Sequence, residues 1–343
     1  MSKKNALMLL TIEASHIYFR GGFVLLEQIL DYCEENHLSA KVYLGYKEVY
    51  QYFIEKEYQN LTLKQTTGIA TIFRYFRKRD NVLFFCNLPP FVRCGQSVLY
   101  AHNILFFQSP RPQRGASWLF NLKKFVYYYW IKIFATKVDV VACQTEAVKQ
   151  ALCENMGVSA ELYPFYRSAQ PLNIAKEYAF CYIGSGVVHK NNSRLLEAVD
   201  KLSEKYQFRI VMTIENNDLY RALIDKIETI NTKYNRTVVV NKGLLPYSEV
   251  AKVYAASEAL VFPSQAETIA LPLIEGLQYG LKILSSDLEF THQVVENPIV
   301  FDPENVEEII NVMENQLKGK YGDIVQRNKV PSKLAELINC LRQ

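Results

Sequence analysis

In the first half of the chain, short apolar runs rich in β-branched and aromatic residues alternate with longer stretches of helical spacing. The runs at residues 6–12, 40–44, 82–86, 97–101 and 138–142 predict strands, and the spacing between them predicts helices over 22–36, 117–135 and 146–156. The second half repeats the scheme. A strand opening near Phe180 runs into Gly184-Ser185-Gly186, Asn192 and Ser193 lead into a helix, and strands follow at 208–213, 238–240 and 259–262. A turn at Gly243 precedes a helix that reaches Glu258, and the segment from Asn305 is helical in pattern. Such alternation predicts parallel, doubly wound α/β sheets. At 343 residues the chain exceeds the size at which single cores usually stop growing, so two Rossmann-like domains are expected, residues 1–170 and 171–343.

Composition is that of an ordinary globular protein, 49% hydrophobic and 22% charged. The seven cysteines form no Cys-x-x-Cys pair, which predicts reduced thiols in a cytoplasmic protein. The N-terminal apolar run is short, ends at Glu13 and lacks a small-residue cleavage site, so it reads as a first strand rather than a signal peptide. No stretch approaches the roughly 18 apolar residues that a spanning helix needs.

Charge changes the picture. A net +4 conceals 20 Lys/Arg against 13 Asp/Glu in residues 1–170, and 19 against 22 in the remainder. Residues 74–137 hold 11 basic residues and one acid, Asp80; from 81 to 138 there is no carboxylate. Interleaved aromatics would suit stacking on nucleic acid, but no nucleic-acid fold signature accompanies them, and no such partner is expected. Residues 118–137 have helical spacing, with Leu122, Phe125, Val126, Tyr129 and Ile133 on one face and Lys123, Lys124 and Tyr127 roughly opposite. The stripe alone predicts a helix burying that face in its own domain. The missing acids point instead to an anionic membrane surface or acceptor face carrying Lys123, Lys124 and Lys132, and so to a protein peripheral to the inner face of the membrane.

The densest candidate chemistry lies between Ala259 and Leu281. A strand ends at Pro263-Ser264, a polar loop carries Glu267, Pro272 stands where a helix begins, and Gly280 where it ends. Glu275 is placed in the first helical turn, so both carboxylates are expected at the helix N-terminus. The amides of Thr268, Ile269, Ala270 and Leu271 have no intrahelical acceptor and offer a cradle for an anion. Carboxylates beside an anion cradle suit a ligand bearing hydroxyls and phosphates, such as a sugar nucleotide.

This run resembles the glutamate-x7-glutamate motif of retaining glycosyltransferases of family 4, which have the two-domain GT-B fold. The residues that carry the likeness are Pro263, Ser264, Glu267, Leu271, Pro272, Leu273, Glu275, Gly276 and Gly280; Ala270 stands where the family usually has glycine. The match is specific over about 25 residues and weaker from about Phe180 to Asp302. Asn87-Leu88-Pro89-Pro90, followed by a strand ending in His102-Asn103, is similar to O-antigen and capsule transferases of that family.

The resemblance implies roles. Glu275 would accept from the ribose diol and Glu267 from donor-sugar hydroxyls. Lys190, with Asn191, would hold the donor diphosphate after the turn at Gly184 and Ser185; Ser185 occupies the usual arginine position, leaving Arg20 or His189 to compensate. Gly21 and Gly22 would form a loop approaching the donor, His102 would lie beside the donor sugar, and Leu245 near the base. Domain closure, front-face attack and retention would follow without a protein nucleophile. Asp-x-Asp is absent, and neither a metal nor another cofactor is expected. The acceptor would be a glycan, lipid-linked in cell-surface polysaccharide assembly, and the last helix would cross back to the first domain. Two rival readings stay open: a nucleotide-sugar-binding scaffold with little turnover, favoured by Ser185 and Ala270, and a nicotinamide-dependent sugar-nucleotide enzyme, resting on Gly184-Ser185-Gly186.

Overall fold

The computed structural model describes residues 9–18, 21–107, 109–112, 117–170 and 172–342. These form two units, residues 1–166 with 331–343, and residues 167–330. The division thus falls at 166/167 rather than 170/171. The last segment, with helix α12 (Leu334–Asn339), groups with the first unit; the Lys333 amide donates to the Pro164 carbonyl at 2.7 Å, and Cys340 Sγ lies 3.2 Å from the Tyr163 hydroxyl.

The first unit contains strands β1 (Leu10–Ala14), β2 (Ala40–Leu44), β3 (Leu61–Gln65), β4 (Val82–Phe84), β5 (Ser97–Ala101), β6 (Val140–Cys143) and β7 (Glu161–Leu162). They form one parallel sheet in the order β3-β2-β1-β4-β5-β6-β7. Helices α1 (Gly21–Glu35), α2 (Lys47–Ile54), α3 (Gly68–Tyr75), α4 (Trp118–Phe134) and α5 (Glu146–Met156) make the connections. Val82, Phe84, Leu99 and Ala101 of the sheet pack with Tyr128 and Ile131 of α4 and Val148 and Leu152 of α5.

The first strand starts later than the apolar run suggests; residues 6–8 of that run lie outside the described residues. Glu13, expected to end the strand, lies inside it and is fully buried. Two guanidiniums make this tenable: Arg74 Nε at 2.9 Å and Arg79 at 2.7 Å, both on Oε1. An ionised carboxylate without such partners would not be buried.

The largest departure from the pattern is α4. Its buried residues are Lys124, Tyr128 and Ile131, while Leu122, Phe125, Val126, Tyr129 and Ile133 face solvent. The expectation that this apolar stripe packs inward is therefore overturned. So is the expectation of Lys124 as a surface cation: it is only 7% exposed, with Nζ donating to the Arg111 carbonyl at 3.2 Å. Long side chains make the inversion possible, because apolar stems pack while polar tips reach backbone acceptors. The Tyr128 hydroxyl donates to Asn155 O at 2.7 Å, and Trp130 Nε1 donates to Pro89 O at 2.9 Å. Lys132 also donates to Asn155 O, at 3.2 Å, and Lys123 lies 5.1 Å above the Tyr127 ring.

The second unit contains β8 (Tyr178–Tyr182), β9 (Ile210–Met212), β10 (Val239–Asn241), β11 (Ser257–Phe262), β12 (Lys282–Ser286) and β14 (Ile299–Phe301), with a small antiparallel pair from β13 (Val295–Glu296) and β15 (Arg327–Asn328). The main sheet is parallel, in the order β10-β9-β8-β11-β12-β14. Helices α6 (Asn192–Ser203), α7 (Arg221–Lys233), α8 (Tyr247–Ala255), α9 (Leu271–Gln278), α10 (Glu289–Val294) and α11 (Val306–Leu317) complete it. Strand order reverses between β8 and β11, and loops at the carboxyl ends of strands beside such a switch point are where open α/β sheets bind ligands.

Candidate active site

Lys190 follows β8 and Glu267 follows β11, so both stand on loops at the switch point of the second unit. The two loops are tied together by backbone. The Gln265 amide donates to His189 O at 2.8 Å, and the buried Ser264 hydroxyl lies 3.3 Å from the same carbonyl. Asn191 turns the chain in a left-handed conformation (φ 59°), with Nδ2 donating to Pro303 O at 2.7 Å. On this frame the ammonium of Lys190 and the carboxylate of Glu267 form a mostly buried ion pair, with Lys190 Nζ 5.1 Å over the Phe262 ring. His189, beside them, is held below its usual pKa by burial and then by the Lys190 charge.

Beyond Glu267, the amides of Thr268, Ile269 and Ala270 find no acceptor among the described residues. Leu271 is the first residue of α9, and Pro272 the second. Glu275 is consequently the fifth residue of the helix and not in its first turn, because the helix starts one residue earlier than Pro272. It is buried inside the unit, and burial raises its carboxyl pKa to about 7; the hydroxyl of buried Tyr254 donates to Oε2 at 2.9 Å. Tyr254 on α8 stacks on Tyr279, with centroids 5.7 Å apart. Leu245 lies half-buried in the loop ahead of α8. Tyr254 escaped the sequence reading, since helical spacing marks its inward face but not the carboxylate it meets.

Ala270 caps α9 in the left-handed region (φ 45°, ψ 55°), and among the described residues every other non-glycine residue with positive φ is Asn, His, Glu or Gln. A methyl there costs about 1 kcal/mol. Ala270→Gly is expected to raise the melting temperature by a few degrees; a fall would mean that the packed methyl outweighs the strain.

Gly184 and Gly186 have local explanations. A Cβ at Gly184 would lie 2.7 Å from the Tyr182 hydroxyl, and one at Gly186 would lie 2.5 Å from the Tyr220 ring. The space they leave is filled by the unit's own aromatics, so the glycine spacing gives no support to a dinucleotide fingerprint. Ser185 offers its carbonyl to the Tyr182 hydroxyl at 3.1 Å and to Asn192 Nδ2 at 3.0 Å.

The remaining candidates lie in the first unit. Gly21 and Gly22 form the first turn of α1 rather than a loop. A Cβ at Gly22 would be 3.0 Å from His102 Nε2, so that glycine admits the imidazole; nothing crowds Gly21. His102 follows β5 and stacks on Phe85, with centroids 5.0 Å apart, and Nε2 is 3.2 Å from Asn87 Nδ2. Asn87 Oδ1 accepts from the amides of His102 and Asn103 at 2.8 and 3.1 Å. Burial lowers the His102 pKa to about 4, which leaves the ring neutral at pH 7. Arg20 lies outside the described residues.

Residues 167–330 match the family described as Glycosyl transferases group 1. The match covers the second unit from end to end. Among curated proteins, the chain is similar to the sulfoquinovosyl transferase SQD2 of Arabidopsis thaliana, 24% identical over 192 residues, covering 52% of this chain and 35% of that protein. It is also similar to the O-antigen chain mannosyltransferase RfbU of Salmonella typhimurium, 20% identical over 185 residues, covering 52% and 51%. The chain thus spans about half the length of these relatives or less. Among solved structures, Anabaena HepE in complex with UDP and glucose aligns over 98% of this chain and 94% of that one, with a TM-score of 0.67 at 12% identity. The fold is GT-B.

Proposed function

We propose that the protein is a retaining glycosyltransferase of family 4, moving a sugar from a nucleotide-sugar donor to a glycan acceptor, lipid-linked in polysaccharide assembly. The observation that carries this reading is the Lys190–Glu267 ion pair at the switch point, beside three amides without acceptors among the described residues and within one helix of a buried carboxylate. Each partner neutralises the other until a ligand arrives. The donor diphosphate takes Lys190 and the amides of Thr268, Ile269 and Ala270, which leaves Glu267 to accept from sugar hydroxyls. Glu275, held by Tyr254 through one oxygen, keeps the other for the ribose diol. As the glycosidic bond breaks, charge grows on the departing diphosphate, and fixed cationic and amide donors stabilise it.

Thermal-shift screening against sugar nucleotides identifies the donor, since a ligand at 100 times its Kd stabilises by about 2.7 kcal/mol. With that donor, Lys190→Ala should lower turnover by about 10²-fold, and Glu267→Ala by roughly ten- to hundredfold. A chelator should leave the wild-type rate in place. Normal transfer by both variants would remove the site assignment, while tight donor binding without any transfer or donor hydrolysis would favour the scaffold reading.

A further inference from the structure

Two helices of the first unit are amphipathic the wrong way round. α3 turns Thr71, Arg74 and Tyr75 inward, where Arg74 meets Glu13 and the hydroxyls of Thr66 and Thr71. Its outer face presents Ile69, Ile72 and Phe73, the last 64% exposed, and ends at exposed Phe76. α4 does the same: Lys124 and Tyr128 face inward, while Leu122, Phe125, Val126, Tyr129 and Ile133 stand in solvent, Ile133 at 60%. Trp118 at its start is 71% exposed. The two faces are joined by aromatic stacking, Phe76 on Phe91 at 4.3 Å and Phe91 on Trp130 at 4.5 Å.

Isolated exposed hydrophobics are ordinary, whereas a joined apolar area of this kind marks an interaction surface. Charge selects the partner. Arg77 and Lys78 at the end of α3 are exposed and carry no ion pair among the described residues, and Lys123 and Lys132 are exposed on α4. No carboxylate occurs between residues 81 and 138 to offset them. A second copy of the chain would set these cations against their own kind, which disfavours a symmetric dimer. Anionic lipid satisfies both features, since acyl chains take the apolar side chains and phosphates take the cations.

We propose that α3 and α4 dock the first unit on an anionic bilayer, with their apolar faces entering the lipid interface and Arg77, Lys78, Lys123 and Lys132 meeting headgroup phosphates. This differs from purely electrostatic contact, because the outward hydrophobics and not the lysines alone make the attachment. It does not depend on the transfer reaction, and its test reads binding only.

The full chain is sedimented with vesicles of phosphatidylcholine alone and of phosphatidylcholine mixed with phosphatidylglycerol, while tryptophan emission is followed. Binding to the mixed vesicles is expected, with a blue shift that Trp118→Phe largely removes. The exposed-site variant Phe73→Ser, Phe125→Ser, Ile133→Ser should lower partitioning at least about tenfold even at low salt. Arg77→Gln, Lys78→Gln should weaken it further and flatten its salt dependence. Both variants should melt as the wild type does. Three outcomes would overturn the proposal: no binding to either vesicle, equal binding to both, or binding indifferent to the serine substitutions. Concentration-dependent dimers that the serine variant dissolves would also overturn it, assigning the face to a second copy.

Discussion

Glu13→Ala is expected to destabilise the first unit by about 3–5 kcal/mol, because it leaves two guanidiniums without their shared carboxylate in a buried site. Glu13 is fully buried in β1, and Arg74 and Arg79 reach it from α3 and the segment after it. Arg74 also donates to Thr66 Oγ1 and lies over the Tyr43 ring, 4.2 Å from its centroid. Removing the anion therefore uncouples α3 from the sheet and strands its cations at once. Chemical denaturation of the first transition measures the loss. Replacing all three charges together, Glu13→Leu with Arg74→Met and Arg79→Met, should recover most of it, since the triad is expensive to break rather than expensive to replace. A single-variant loss below about 1 kcal/mol would mean that solvent reaches the two arginines and that the triad holds little.

The triad also shows why parts of this fold were hard to read from the chain. Strand–helix alternation is a local signal, and it predicts both sheets, with strand limits off by a few residues as at β1 and β6. β3 escaped the pattern because Leu61 is its one buried residue, α2 because it is a short helix that buries only Val49 and Phe53, and α3 because it turns polar residues inward. Amphipathicity carries no label saying which face is wet. For α4 the usual rule points inward, yet Lys124, Tyr128 and Trp130 reach backbone carbonyls with their tips and reverse it. At the candidate site, Glu267 and the amides before α9 stand out through loop, proline and carboxylate spacing, which are sequence properties, whereas Lys190 stands out only through the family resemblance. The ion pair between Lys190 and Glu267 was not legible, since 77 residues separate the partners and only the parallel pairing of β8 with β11 brings their loops together. Gly184 and Gly186 were legible as glycines but not in purpose: the aromatics that need the room are Tyr182 and Tyr220, the second 34 residues beyond Gly186.

Glu275→Gln should make the protein more stable and a poorer binder of its donor. Burial raises the folded-state pKa of Glu275 to about 7, whereas an unfolded glutamate titrates near about 4.3. Below the unfolded value both states hold the proton and nothing changes. Between the two values the folded chain keeps a proton that the unfolded chain has lost, so stability falls as pH rises, by on the order of 3 kcal/mol across the window. Above about pH 7 the penalty is complete and constant. Glutamine still accepts from the Tyr254 hydroxyl but never ionises, so its stability should be flat through that window. The variant should match the wild type near pH 4 and exceed it by on the order of 3 kcal/mol at pH 8. Donor affinity should move the other way. A neutral amide accepts from a ribose hydroxyl less strongly than a carboxylate, for a loss of roughly tenfold, and wild-type affinity should rise with pH through 7 as the carboxylate forms. Melting curves from pH 4 to 8 with nucleotide-sugar titrations at pH 6 and 8 separate the possibilities. A buried glutamate kept only for structure would give no affinity change, while a ligand-binding one gives opposite signs for stability and affinity, as expected where a site is held against the preference of the fold.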